Sequence, residues 1–144
     1  MMRFETLTGG ADMSIKGLAF RYAQAWAERD LDAIMALHTD DTVFHLHADG
    51  VEGGGASVGS VAVREAFAAQ LAQSSDLHFE LSRVIFGEDH FVSQYVMSGT
   101  RNGRRFVCDG VDIFEVSDER IARKDSYGDW LAYARQVGLR NAAL

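Results

Sequence analysis

From Ile15 to Trp26 the apolar residues Ile15, Leu18, Tyr22, Ala25 and Trp26 recur at helical spacing. That predicts a helix running to about Arg29 with one buried stripe. Ser14 stands where its hydroxyl can accept an N–H of the first turn. Asp30 can do the same for a second, short helix carrying Leu31, Ile34 and Leu37. Thr39-Asp40-Asp41-Thr42 reads as a turn, and Val43-Phe44-His45-Leu46-His47 as a strand. Residues 49–60 hold the only glycine-rich run and are expected to form a mobile loop. The run lacks the Gly-Lys-Ser/Thr ending of a phosphate loop. Ser60 is placed to cap a third helix, with Val63, Phe67 and Leu71 four residues apart.

The second half of the chain changes period. Leu77–Phe86, Phe91–Thr100, Arg105–Val116 and Ile121–Tyr127 read as strands, separated by short polar breaks. Asn102-Gly103 between two such runs is a strong hairpin signal. The four strands are expected to form an antiparallel meander. A short helix from about Trp130 to Val137 follows, stopped by Gly138. Helices first and strands later predict an α+β domain, with helices packed on one face of a curved sheet. The domain is expected over 14–138, after a flexible arm (1–13) and before a tail (139–144).

Composition narrows the classes of partner. The 144 residues carry a net charge of −7. So acidic a chain is poorly suited to a phosphate backbone or an anionic membrane surface, so neither nucleic acid nor membrane is expected as partner. The single cysteine, Cys108, excludes an intramolecular disulfide and a cysteine-based zinc site. No apolar run approaches the ~20 residues of a membrane span. Met1-Met2-Arg3-Phe4-Glu5-Thr6 lacks an apolar signal core, so a cytoplasmic location is expected. With 14 glycines and no proline, turns must rely on Gly, Asn and Asp.

Asp112 is the most informative polar residue, because it lies inside the apolar run Val111-Asp112-Ile113-Phe114. Buried, it is either a structural carboxylate satisfied by its neighbours or a functional acid or base. Alternation places Phe106, Cys108, Gly110, Asp112 and Phe114 on one face. Gly110 there either leaves room for a ligand or marks a bulge. Cys108 has no base partner in the pattern and reads as a small core hydrophobe. His45 and His47 point the same way and with Asp112 would make a two-histidine, one-carboxylate set. A bare His-x-His is a weak metal signal, and a general base or hydrogen-bonding histidine is favoured over a metal site. His38, His78 and His90 stand at a helix end and at strand starts, where solvent exposure is expected. Tyr22 and Trp26 lie one turn apart, either as core packing or as side chains aimed into a cavity. Lys124 and Ser126 share one face of the last strand; Arg123, Asp125 and Tyr127 share the other.

Taken in order, these segments resemble the nuclear transport factor 2-like superfamily, in the branch of SnoaL-like polyketide cyclases and ketosteroid isomerase. The resemblance is carried by Tyr22-Ala-Gln-Ala-Trp26, Asp30–Leu37 with Asp40-Asp41, and Gly59–Phe67. Gly110–Phe114 and Ile121–Tyr127 complete it. It implies a cone: a strongly bent sheet around helices, with an apolar pocket at the open end and a homodimer through the outer sheet face. Tyr22 matches the oxyanion-hole tyrosine of the isomerases, and Asp112 their protonated aspartate. Their general-base aspartate falls near His45–His47, where this chain has no carboxylate. An epoxide-hydrolase cousin needs an Asp-Arg-Asp set; Gly110 and Ser126 stand at two of those positions, which disfavours that activity. The resemblance further implies a pocket lined by Trp26, Tyr95, Met97, Gly99, Cys108, Gly110, Lys124 and Ser126. Lys124 near Asp112 would favour a carboxylate.

Two classes of function follow. One is an enzyme of cofactor-independent acid/base chemistry on a small apolar carbonyl or polyketide-like ring. In it His47 or His45 would move the proton, and Tyr22 and Asp112 would hold the enolate oxygen. The other is a non-catalytic binder of a small apolar ligand, or an interaction module, on the same fold. No cofactor and no metal are expected in either.

Overall fold

The computed structural model describes residues 14–51 and 53–139. The expected arm (1–13) and the last residues of the tail (140–144) lie outside them.

The chain opens with α1 (Ile15–Ala27), where Ser14 Oγ accepts the Gly17 N–H at 3.0 Å. In α2 (Leu31–Ala36) Asp30 accepts the Ala33 N–H at 3.0 Å. Strands β1 (His38–Leu46) and β2 (Gly55–Val58) lead to α3 (Ser60–Gln73). The meander is β3 (His78–Phe86), β4 (His90–Arg101), β5 (Arg104–Ser117) and β6 (Arg120–Gly128). Last comes α4 (Trp130–Val137), capped by Asp129 and closed by Gly138 at φ 74°.

The strands form one curved, unclosed sheet in the order β2-β1-β6-β5-β4-β3. Every pairing is antiparallel except β1 with β6. The β4–β5 hairpin turns on Asn102 (φ 54°) and Gly103 (φ 71°). Two positive φ angles match the right-handed strand twist, which is why Asn-Gly is favoured there.

Three local expectations are corrected. Thr39–Thr42 is no turn between elements but part of β1. It bulges: His38 opposes Ile121, yet Val43 opposes Arg123, so residues 38–43 of β1 span only 121–123 of β6. The polar run thus records a break in the ladder, not the end of the strand. The glycine-rich run is not loop throughout, because Gly55–Val58 adds an edge strand to β1. Ser60 is the first residue of α3 rather than its cap; Gly59 holds that position at φ 89°, with no side-chain cap.

Alternation on β4, β5 and β6 sends one face inward. Phe67, Phe91, Phe106, Phe114, Ile34 and Ile121 are fully buried. Each such side chain contributes roughly 1.5–3 kcal/mol by leaving water. Beneath α4, Tyr95, Met97, Phe106, Cys108, Tyr133 and Val137 form a second cluster. Between the helices and the sheet, the inward face carries a row of polar residues.

Candidate functional site

A cavity of about 440 Å³ opens between α1 and the inner sheet face. Its walls are mostly apolar: Trp26 from α1, Phe79 and Leu81 from β3, Phe91 and Phe114 from β4 and β5. Its buried polar groups are Tyr22, Ser93, Tyr95, Asp112 and Lys124, and Gln24, His78 and Glu80 stand exposed at its rim. Strand register assembles them. Asp112 pairs directly with Ser93 on β4 and Ser126 on β5's other neighbour, β6. Lys124 sits two residues before Ser126, on the same face, opposite Phe114 on β5 and Phe44 on β1.

One hydrogen-bonded network joins these groups. Ser126 Oγ donates to Asp112 Oδ1 at 2.6 Å, and the Tyr95 hydroxyl donates to the same oxygen at 2.9 Å. Lys124 Nζ lies 3.8 Å from Asp112 Oδ2 and donates to the Tyr22 hydroxyl at 3.2 Å. Tyr22 is also 3.0 Å from His38 Nε2, and His38 Nδ1 is 2.9 Å from Thr42 Oγ1. Lys124 has only donors, so the Tyr22 oxygen accepts from it, while the direction of the Tyr22–His38 and His38–Thr42 bonds follows the His38 tautomer. Two O–H donors on one oxygen of Asp112, with an ammonium beside the other, suit an ionised carboxylate.

The ammonium of Lys124 is caged. Ring centroids of Trp26, Phe67, Tyr22, Phe44 and Phe114 lie 4.7, 4.9, 5.1, 5.6 and 5.7 Å from Nζ. All are within the range of attraction between a cation and a ring face. Nearby, the Trp26 indole Nε1 is buried and makes no hydrogen bond.

The family-model comparison matches residues 19–124 to the SnoaL-like domain. The chain belongs to the SnoaL-like domain family. Solved structures of the same fold are similar over most of the chain. One is a hypothetical protein with a ketosteroid isomerase-like fold from Catenulispora acidiphila, in complex with trimethylamine. It is 20% identical at a TM-score of 0.74, over 85% of this chain and 92% of that one. TerC, co-crystallised with polyporic acid, is 17% identical at 0.75, over 84% and 95%. A putative SnoaL-like polyketide cyclase from Shewanella putrefaciens is 12% identical at 0.72, over 84% and 93%. These likenesses show the fold. No curated protein matches the sequence.

Within this SnoaL-like domain, burial governs the titratable groups. It pushes the Tyr22 phenol well above its ordinary range; Trp26 opposes the rise and the Asp112 charge adds to it. Burial and the Asp112 carboxylate raise Tyr95 likewise. Burial lowers Lys124, against the pull of Asp112. His38 is pushed down to about 3, by burial first and by the Lys124 charge second. At neutral pH the Tyr22 and Tyr95 phenols of the cavity, and the His38 imidazole behind Tyr22, are therefore uncharged.

The expected site residues divide by place. Tyr22, Trp26, Tyr95, Asp112 and Lys124 line the 440 Å³ cavity. Met97 lines a second cavity of about 300 Å³, where Tyr95, Phe106 and Trp130 also stand. Gly99, Cys108, Gly110 and Ser126 line neither. Ser126 instead holds Asp112. Gly110 is neither open space nor a bulge: a Cβ there would lie 2.5 Å from Tyr95 Cε2. The missing side chain lets the Tyr95 ring lie across β5 and reach Asp112. Gly99 makes the same allowance for Phe106, whose Cζ would lie 2.9 Å from an added Cβ. Cys108 donates to the carbonyls of Asp109 and Asp129 at 3.3 Å each, and burial raises its thiol to about 11.

His45 and His47 do not face the cavity. His45 pairs with Asp125 in the parallel register, on the face opposite Phe44 and Lys124. Their rings stack on each other at 3.7 Å, and His47 stacks on Tyr127 at 4.1 Å. A one-residue shift in facing moves the whole set. Together with Asp125 they bring ligand-type atoms within 4.8 Å of one another, so the carboxylate beside the histidines is Asp125 and not Asp112. Arg123 already donates to both oxygens of Asp125, at 2.8 and 3.0 Å, and its charge opposes a cation there. The inward histidine is His38, which was expected in solvent. Its neighbour Thr42 and the wall residue Ser93 were missed with it.

Proposed function

We propose that this SnoaL-like domain is a small-molecule enzyme working by acid/base chemistry on a small apolar carbonyl or polyketide-like ring. The reaction class is isomerisation, cyclisation or dehydration. The observation that carries the reading is the Lys124–Asp112 pair, buried beside Tyr22 in a cavity whose walls are mostly apolar. Convergent titratable groups in such a cavity favour chemistry over passive binding. The roles differ from those first expected. Lys124 replaces Tyr22 as main donor to a developing enolate oxygen, because the Tyr22 hydroxyl already bonds to both Lys124 and His38. Asp112 Oδ2 takes the place of His45 or His47 as the base, since Oδ1 is occupied by two hydroxyls. Support of a coarser kind comes from the putative polyketide cyclase and the polyporic acid complex among the similar structures.

The test is a thermal-shift screen with cyclic enones, aromatic polyketides and fatty acids, repeated with Asp112→Asn. Asparagine keeps an acceptor for Tyr95 and Ser126, so the fold is expected to persist. A ligand at a hundred times its dissociation constant adds about 2.7 kcal/mol. The expected result is a carbonyl-selective shift that the variant loses. Carbonyl-indifferent shifts that survive in the variant favour the non-catalytic binder. That alternative draws on the trimethylamine and polyporic acid complexes of similar folds.

The homodimer belongs to the same proposal. Ile85, Val107, Ile113 and Tyr127 are exposed on the outer sheet face. Apolar side chains clustered on one face mark a contact surface. Sedimentation equilibrium is expected to give twice the chain mass; a monomer at micromolar concentration removes this part.

A further inference from the structure

We propose that Lys124 forms a covalent imine with the carbonyl carbon of a small apolar aldehyde or ketone bound in the 440 Å³ cavity. The inference deepens the acid/base reading and rests on its choice of site.

Four observations carry it. Lys124 lines the cavity although only 6% exposed, so its nitrogen is reached from the cavity rather than from bulk water. Burial lowers its basicity, the usual way a lysine is made nucleophilic. Asp112 Oδ2, 3.8 Å away, is placed to take the ammonium proton. The buried, unpartnered N–H of Trp26, also in the cavity wall, is a spare donor for a polar ligand atom. Space is ample, since an apolar cavity of about 150 Å³ already takes up benzene.

The step balances without a further reactant. Lys124 passes a proton to Asp112. The freed nitrogen pair forms a C–N bond as the C=O π pair moves to oxygen, which takes the Asp112 proton. A second proton leaves nitrogen for Asp112 and passes to the hydroxyl. The C–O bond breaks, water departs, and the C=N iminium remains beside the Asp112 carboxylate. In sum, ammonium plus carbonyl gives iminium plus water.

The chain has only two lysines, Lys16 and Lys124, so each is the other's control. The full chain would be incubated with benzaldehyde and cyanoborohydride, which reduces an iminium to a stable amine, and then peptide-mapped. Lys124 is expected to gain a benzyl group about tenfold faster than half-buried Lys16, because burial keeps more of it as free amine beside a bound carbonyl. Lys124→Arg is expected to abolish that adduct while Lys16 labels as before. Labelling of Lys16 at the same or a higher rate in the unaltered chain overturns the proposal, whether or not the arginine variant folds. Benzaldehyde alone, followed by thermal shift, separates the two readings. A shift without a Lys124 adduct overturns the imine and keeps the acid/base site; neither shift nor adduct counts against both.

Discussion

Asp112→Ala is expected to cost about 3–5 kcal/mol in urea unfolding at pH 7, the range for breaking a buried ion pair from one side. The loss has two sources. The Lys124 ammonium keeps its aromatic cage but loses its counter-charge at 3.8 Å. The hydroxyls of Tyr95 and Ser126 lose their shared acceptor. A combined Asp112→Leu, Lys124→Met variant is expected to recover most of the loss, because an apolar pair of similar volume needs no compensation. Acidity supplies a second readout. In Asp112→Ala the opposing pull on Lys124 is gone, so its folded-state pKa falls further below the unfolded value of ~10.4. The unfolded chain then binds more protons than the folded one, so stability rises with pH toward 10. The deficit of the single variant should therefore shrink between pH 7 and 10. A deficit that stays constant, with no rescue in the double variant, would mean that the hydroxyls rather than the charge pair carry the cost.

The fold was legible where local chemistry and tertiary demand agree. Ser14, Asp30, Asn102-Gly103 and Gly138 each perform the task their residue type favours, and the meander follows from period-two alternation. The misreadings share one cause. Gly55–Val58 and Thr39–Thr42 take their structure from pairing or mispairing with a distant strand. Local composition carries no record of such partners. The site divides in the same way. Asp112 stood out because a carboxylate inside an apolar strand demands an explanation, and the face shared by Lys124 and Ser126 followed from alternation. Facing on β1 did not, because the bulge after His38 and the parallel pairing with β6 set it. That one feature turns His45 and His47 outward to Asp125 and Tyr127, and brings His38 inward to Tyr22. Gly110 has a similar lesson: the space it provides belongs to Tyr95, a cross-strand neighbour.

His38 is expected to make the domain acid-labile. Its folded-state pKa of about 3 lies below the ordinary 6.5, so its proton is bound by the unfolded chain and refused by the folded one between those values. Stability contributed by neutral His38 is complete above about pH 6.5 and is lost on acidification toward 3. The slope is about 1.4 kcal/mol per pH unit, so roughly 5 kcal/mol is at stake over the whole window. The depressed carboxylates Asp76, Asp89 and Asp125 also lose stability in acid. Their windows begin only near the ordinary carboxylate value of ~3.9, leaving pH 5–6.5 to the histidine. His38→Gln offers one acceptor and one donor group to Tyr22 and Thr42. Its urea stability should be lower at pH 7.5 but flatter down to pH 5, so the two curves converge; curves that run parallel would place His38's titration elsewhere. The second cause of the depression is the Lys124 charge, so Lys124→Met should itself soften the acid slope while leaving His38 in place. The two largest effects are thus coupled through one ammonium: the group that Asp112 must neutralise is also the group that helps keep His38 unprotonated.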